Sequence, residues 1–219
     1  MKWDWHYAFT ILPDLVKVLP ITIGVTLLGF ITACILGLPL ALARRSRNKV
    51  VSKITQAGIE FVRCTPLLVQ LFVLFYVLPL YGVALSPFVT GVLGLGMHYS
   101  TYMSEVYRSG IEAVPRGQWE AAKALNLNGR RTWIAIILPQ AIPPIIPVMG
   151  NYFITMFKET PILSAITLVE LLQTAKSIGS GSFRYIEAFT LVGFLFLLLS
   201  YPSSILIKNM EKRFPTMKG

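Results

Sequence analysis

The chain has 219 residues, of which 54% are hydrophobic and only 14% charged. That lies well outside the range of soluble domains and points to a membrane protein. The formal net charge of +10 does not indicate a nucleic-acid partner, because the basic residues fall between long apolar runs and form no stripe or aromatic-interleaved motif.

Before the first apolar run, Trp3, Trp5, Tyr7 and Phe9 alternate with polar residues. Trp and Tyr favour the bilayer interface, so residues 1–17 read as an outer interfacial segment. A helix needs about 20 apolar residues to cross a hydrocarbon core of roughly 30 Å. Five stretches qualify: 19–42, 57–81, 87–107, 142–163 and 188–207. The first begins too late and has too many polar neighbours for a cleaved signal sequence.

Arg44, Arg45, Arg47, Lys49 and Lys53 follow the first stretch, whereas the connection at 80–87 carries no charge. Arg108, Arg116, Lys123, Arg130 and Arg131 follow the third, and Lys208, Lys212, Arg213 and Lys218 close the chain. Basic residues mark the cytoplasmic side. The expected fold is therefore an all-α membrane protein with about five transmembrane helices, N-terminus outside and C-terminus inside. One transmembrane domain is expected at 18–210, with a cytoplasmic tail at 211–219. Cys34 and Cys64 lie in or beside different apolar runs, which argues against a disulfide framework or a cysteine metal site and reads as two small packing residues. Gly91, Gly94 and Gly96 suit close helix packing.

Between the third and fourth stretches lies a hydrophilic loop at 111–134. Helix formers run from Glu120 through Ala121 and Ala122 to Leu125, break at Asn126-Leu127-Asn128-Gly129, and a second helical pattern follows. Two short helices joined by a turn are expected. The alanines leave little side-chain bulk, so another protein can approach the backbone closely, and Glu120 in the first turn suits the helix dipole.

The order Glu120-Ala121-Ala122, a turn residue at 126, then Ile136-Ile137-Leu138-Pro139 resembles the cytoplasmic coupling loop of membrane subunits in bacterial ATP-binding-cassette (ABC) importers. That family usually has glycine at the turn; Asn126 also tolerates left-handed dihedrals. Arg63-Cys64-Thr65-Pro66-Leu67-Leu68-Val69-Gln70 is similar to a signature of permeases in the polar amino acid (histidine, glutamine, arginine, opine) group, with Cys64 replacing glycine. Glu105-Val106-Tyr107-Arg108-Ser109-Gly110-Ile111 and Phe157-Lys158-Glu159-Thr160-Pro161-Ile162-Leu163 are also similar to segments of that group. Trp3-Asp4-Trp5, Gly96-Met97-His98-Tyr99 and Ala124-Leu125-Asn126 look most like permeases for ectoine and hydroxyectoine.

The resemblance implies a subunit of the bacterial inner membrane that forms the translocation pathway. It implies cytoplasmic ATP-binding subunits docked on Glu120, Ala121, Ala122, Asn126 and Gly129, a second permease subunit, identical or homologous, and an extracytoplasmic solute-binding protein. No Gly-x-x-x-x-Gly-Lys-Ser/Thr sequence occurs, so ATP and Mg are expected on the partner ATPase and no cofactor or metal on this chain.

Ionisable residues inside a membrane normally face protein or water. His98 and Tyr102 share one helical face and offer a polar aromatic surface. Lys158 and Glu159 point about 100° apart, so each needs its own partner. Pro161 supplies no backbone donor and is expected to unwind the chain near them. By that logic Lys158 meets a carboxylate and Glu159 an ammonium or amidinium of a zwitterionic solute, with Thr160 beside them. The alternative leaves both solvated at the outer interface. Arg63 and Glu105, expected near the cytoplasmic ends of their helices, read as a structural or gating pair, as do Thr65, Pro66, Gln70 and Pro161 at the two motifs. An intramembrane enzyme has no supporting motif: there is no His-Glu-x-x-His or Gly-x-Ser-x-Gly, and the only aspartates are Asp4 and Asp14. A passive channel or assembly scaffold is the remaining alternative, although neither needs the docking loop.

Overall fold

The computed structural model describes residues 3–213; positions 214–219, including Lys218 of the expected tail, lie outside the described residues. Among the described residues the regular structure is entirely helical. Helix α1 spans Trp5–Arg44. Helix α2 (Lys49–Cys64) is followed by α3 (Leu67–Phe72), which continues through a π-helical turn and a 3-10 turn to Tyr81. Then come α4 (Pro87–Glu112), α5 (Arg116–Ala124), α6 (Gly129–Arg131), α7 (Leu138–Glu159), α8 (Leu171–Ser182) and α9 (Tyr185–Arg213).

By length and composition three helical runs can cross a membrane: Trp5–Arg44, Gly129–Ile166 and Tyr185–Lys212. The pair Lys49–Cys64 and Leu67–Tyr81, bent by 98°, makes a fourth if taken as one span. The stretch at 87–107 forms a helix of 26 residues, long enough to span at 1.5 Å per residue. It is more polar than the others because His98, Ser100, Thr101 and Ser104 are buried against neighbouring helices rather than facing lipid.

Asp4 caps α1 by accepting the Tyr7 backbone N–H at 3.2 Å, so the helix starts at Trp5 and runs without a break through residues 5–17. That backbone N–H, and after it Arg184, hold the Asp4 carboxyl below the usual carboxylate range. Arg184 also donates to Glu187 at 2.5 Å and lies 4.3 Å from the Tyr7 ring centroid. One end of α1 is thereby tied to the turn between α8 and α9.

The central contact is α1 against α4. Thr22, Thr26, Gly29, Ala33, Gly37 and Ala41 form a buried small-residue stripe on α1. It permits backbone approach where hydrophobic transfer offers little driving force between helices. A Cβ on Gly37 would lie 2.6 Å from the Met103 Cβ, and one on Gly96 would lie 2.5 Å from the Thr32 Cγ2. Val25, Leu95, Tyr99, Met103, Met156 and Leu163 fill the core around this seam. Both π-helical turns, Val73–Val77 and Thr132–Ile137, stand two residues before a proline, Pro79 and Pro139, where the ladder loses a donor.

The expected short second helix of the loop is instead the start of the long run Gly129–Ile166. Asn128 caps it, accepting the Arg131 N–H at 2.9 Å, and the π-helical turn carries the chain into α7 without interruption.

Candidate functional site

An open groove of about 650 Å³ gathers residues from three places. The bend between α2 and α3 contributes Arg63, Cys64, Thr65 and Pro66, the middle of α4 His98 and Tyr102, and the end of α7 Lys158, Glu159 and Pro161. Its size falls within the range of small-molecule sites.

The bend exists because Pro66 cannot continue α2, and Gln70 satisfies the groups released there. Its Nε2 donates to the Val62 carbonyl at 2.7 Å, the Thr65 carbonyl at 3.1 Å and the Thr65 Oγ1 at 2.8 Å. Its Oε1 lies 3.3 Å from the His98 Nδ1. With Nδ1–H donating to that oxygen, Nε2 of His98 is left as an acceptor. Gln70 thus acts as a brace that couples the bend to α4.

Helix α7 ends at Glu159 and tightens to a 3-10 turn over Thr160–Ile166 rather than unwinding at Pro161 as expected, because the Thr160 backbone N–H donates to the Phe157 carbonyl. Glu159 accepts a hydrogen bond from the Tyr99 hydroxyl at 2.7 Å. Tyr102 presents its ring to the Arg63 guanidinium, 4.6 Å from the centroid, and stacks obliquely with Tyr152 at 5.4 Å. The groove therefore carries two cations, Arg63 and Lys158, one oriented carboxylate, Glu159, and aromatic faces.

Three expectations are corrected. Arg63 and Glu105 do not pair: Arg44 and Arg108 both bind Glu105, while Arg63 lies over Tyr102. Thr160 does not line the groove; it is fully buried, and its hydroxyl donates to the Phe157 carbonyl at 2.8 Å. Cys64 is not a packing residue but is exposed at the bend, whereas Cys34 is half-buried.

Sequence reading passed over Tyr99 and Tyr152. Tyr99 is next to His98 and so lies about 100° away from it on a helical wheel, yet i and i+3 spacing puts it beside Tyr102. Tyr152 carries no local signal, since only the packing of α7 on α4 brings it there. Glu170 was also missed. It is buried at the start of α8, and its oxygens accept the Leu172 and Gln173 N–H groups at 2.9 and 2.8 Å. Burial raises its carboxyl above the usual range, so it reads as a structural cap.

The loop forms a separate surface. Trp119 and Trp133 meet edge to face at 5.4 Å above a cluster of Ile111, Val114, Ile137 and Ala141, which fixes α5 to the base of the long helix. Glu120 and Ala121 face outward, whereas Ala122 is buried and serves packing within this chain. Asn126 has φ 51°, the left-handed conformation. Gly129 opens α6 with free space around it. Asn126→Gly is expected to leave the thermal unfolding midpoint in detergent unchanged. Asn126→Val is expected to strain the turn by about 1–2 kcal/mol and lower that midpoint; equal midpoints for the two variants would remove the turn requirement.

A helical chain with small-residue seams, a broken helix pair and a groove of mixed charge has the architecture of a membrane transport subunit. Residues 26–215 match the family described as binding-protein-dependent transport system inner membrane component, and the chain belongs to that family. It is 46% identical over 209 residues to the probable amino-acid ABC transporter permease protein y4tG of Sinorhizobium fredii, covering 95% of this chain and 90% of that one. To the L-cystine transport system permease protein TcyB of Bacillus subtilis it is 36% identical, covering 87% and 84%. The crystal structure of an amino acid ABC transporter with histidines aligns with TM-score 0.90 at 33% identity, over 97% of this chain and all of that one. The protein is a permease subunit, not an enzyme, and ATP hydrolysis belongs to a separate chain of the transporter.

Proposed function

We propose that the chain forms one half of the translocation pathway of an importer for small zwitterionic solutes, either polar amino acids or ectoine and hydroxyectoine. The observation that supports this best is the groove, where Arg63 and Lys158 offer cations to a carboxylate and Glu159, held by Tyr99, offers an anion to an ammonium or amidinium. His98, Tyr102 and the bend at Thr65, Pro66 and Gln70 shape the pathway around it. The permeases among its relatives are named for amino acids or derivatives, including cystine, nopaline and glutamine. In this reading the N-terminus is outside the bacterial inner membrane, the C-terminus is inside, and a solute-binding protein delivers cargo to the outer face. The membrane partner is a second permease subunit. The loop at 111–134 docks on an ATPase that holds ATP and Mg, and closure of that ATPase moves the helices as rigid bodies.

The decisive experiment is ATP-dependent uptake of labelled ectoine into proteoliposomes holding this chain, its membrane partner, ATPase and binding protein, with excess arginine and glutamine as competitors. Uptake that resists the competitors identifies an ectoine importer. Uptake of arginine or glutamine instead assigns a polar amino acid importer, and no ATP-dependent flux of any of them refutes the proposal. Glu120→Ala and Ala121→Trp are expected to keep ATP hydrolysis but lose most uptake; wild-type coupling in both would remove the loop from the mechanism.

A further inference from the structure

Only the last turn of helix α2 enters the account so far, through Arg63 and Cys64 at the groove, and its placement differs from that of the other long helices. It is 16 residues long, about 24 Å at 1.5 Å per residue. Near its start Ser52 donates to the Arg44 carbonyl at 2.7 Å, and Arg44 binds Glu105 of α4. Near its end Arg63 sits on Tyr102 of α4. Those two α4 positions are three residues apart, a rise of about 4.5 Å. Helix α2 therefore crosses α4 rather than following it, and its 98° angle to the α3 run agrees.

The outward surface of α2 is divided. Val50, Ile54 and Phe61, 64%, 68% and 70% exposed, lie at i, i+4 and i+11 on one sector. Lys49, Lys53, Gln56 and Glu60 occupy another, and only Ile59 is buried. Arg45 and Arg47 precede the helix and are exposed. Among the described residues none of Arg45, Arg47, Lys49 and Lys53 makes an ion pair, and Glu60, the one carboxylate of α2, accepts from Gln56 at 2.8 Å. Inside the bend, Phe61, Val62, Val69, Val73 and Met97 line an almost wholly apolar recess of about 280 Å³. It continues the apolar sector at Phe61.

We propose that α2 lies in the plane of the membrane at the cytoplasmic interface and holds an anionic phospholipid. The headgroup sits on Arg45, Arg47, Lys49 and Lys53, and an acyl chain follows Ile54 and Phe61 into the recess. Amphipathic helices with adjoining basic and apolar sectors bind this way, and a basic cluster next to a membrane helix attracts anionic headgroups. The uncompensated positive charge selects a lipid over a neutral partner, and the recess selects a lipid over a soluble phosphate. The assignment rests on the sidedness proposed above.

The test uses the whole transporter in nanodiscs of phosphatidylethanolamine alone or of an equal mixture with phosphatidylglycerol. The wild type is expected to retain phosphatidylglycerol preferentially through detergent extraction, as read by mass spectrometry of the intact complex. Each neutralisation in Lys49→Gln and Lys53→Gln is expected to lower that preference by roughly five-fold. Val69→Trp, which fills the recess, is expected to lower retention with the charges intact, and glycerol phosphate is not expected to compete. A fluorophore on Ile54→Cys, with Cys34→Ala and Cys64→Ser, is expected to be quenched by spin-labelled lipid. Unchanged phosphatidylglycerol preference in the double neutralised variant overturns the proposal. So does an unquenched probe that instead cross-links to the other membrane subunit, which would make α2 a subunit seam. Retention is read without ATP or solute, so failure of the transport reading leaves it separately measurable.

Discussion

Glu159→Gln is expected to reduce ATP-driven uptake by about ten- to a hundred-fold while leaving the assembled complex and its ATP hydrolysis in place. Among the described residues Glu159 is the only carboxylate lining the groove, and a hydrogen bond to a charged partner contributes about 1.5–3 kcal/mol. Gln keeps the shape and still accepts from the Tyr99 hydroxyl, so a loss would report the charge rather than the contact. Tyr99→Phe removes only the neutral orienting donor at 2.7 Å and is expected to cost roughly two- to ten-fold. Lys158→Met tests the opposite pole, and its effect should grow for solutes with a free carboxylate. Initial uptake rates at saturating binding protein decide the matter. Wild-type uptake by Glu159→Gln would move solute recognition away from this groove.

The second large effect is on stability. Gly37→Ala would place a Cβ 2.6 Å from the Met103 Cβ, 3.0 Å from the Ser100 carbonyl and 3.2 Å from the Ser104 nitrogen. Two of those neighbours are backbone, which cannot turn aside, so α1 must separate from α4 along the largest helix contact among the described residues. Overpacking of this kind typically costs about 1–3 kcal/mol, and Gly37→Leu more. Gly193→Ala on α9 is the control, because nothing lies within 4 Å of its Cβ position; helix propensity alone makes it neutral or slightly stabilising. Thermal unfolding in detergent should show a clear drop for Gly37→Ala and none for Gly193→Ala. Equal midpoints would mean that the α1–α4 approach is looser than its geometry indicates.

The groove residues legible in the sequence share a chemical reason for being noticed. Lys158, Glu159 and His98 are costly in an apolar run, and Pro66 and Pro161 break helices by removing a donor; each is visible without knowing any neighbour. Local signals and helical periodicity single out Lys158, Glu159, His98 and Tyr102, but the packing of α4, α7 and the α2–α3 bend decides that they line one groove. Arg63 illustrates the limit. Its charge was evident, but its partner was not, since Glu105 had Arg44 and Arg108 within reach from the distant end of α1 and from its own helix.

The sequence by itself determined that this is an all-helical membrane protein of the importer permease family, because apolar run length, basic-residue distribution and the loop motifs are properties of contiguous residues. Tertiary structure decided where α2 lies, which hydroxyl orients Glu159, and that Thr160 and Ala122 are buried rather than available. Those outcomes depend on helix crossings set by side chains distant in the chain: Gly37 meeting Met103, Gln70 reaching back to Val62 and across to His98, Tyr152 arriving on α7. A bend of 98° at Cys64–Pro66 leaves a periodic pattern readable on either side of it, but its angle and the face it exposes are set only by what the two arms pack against.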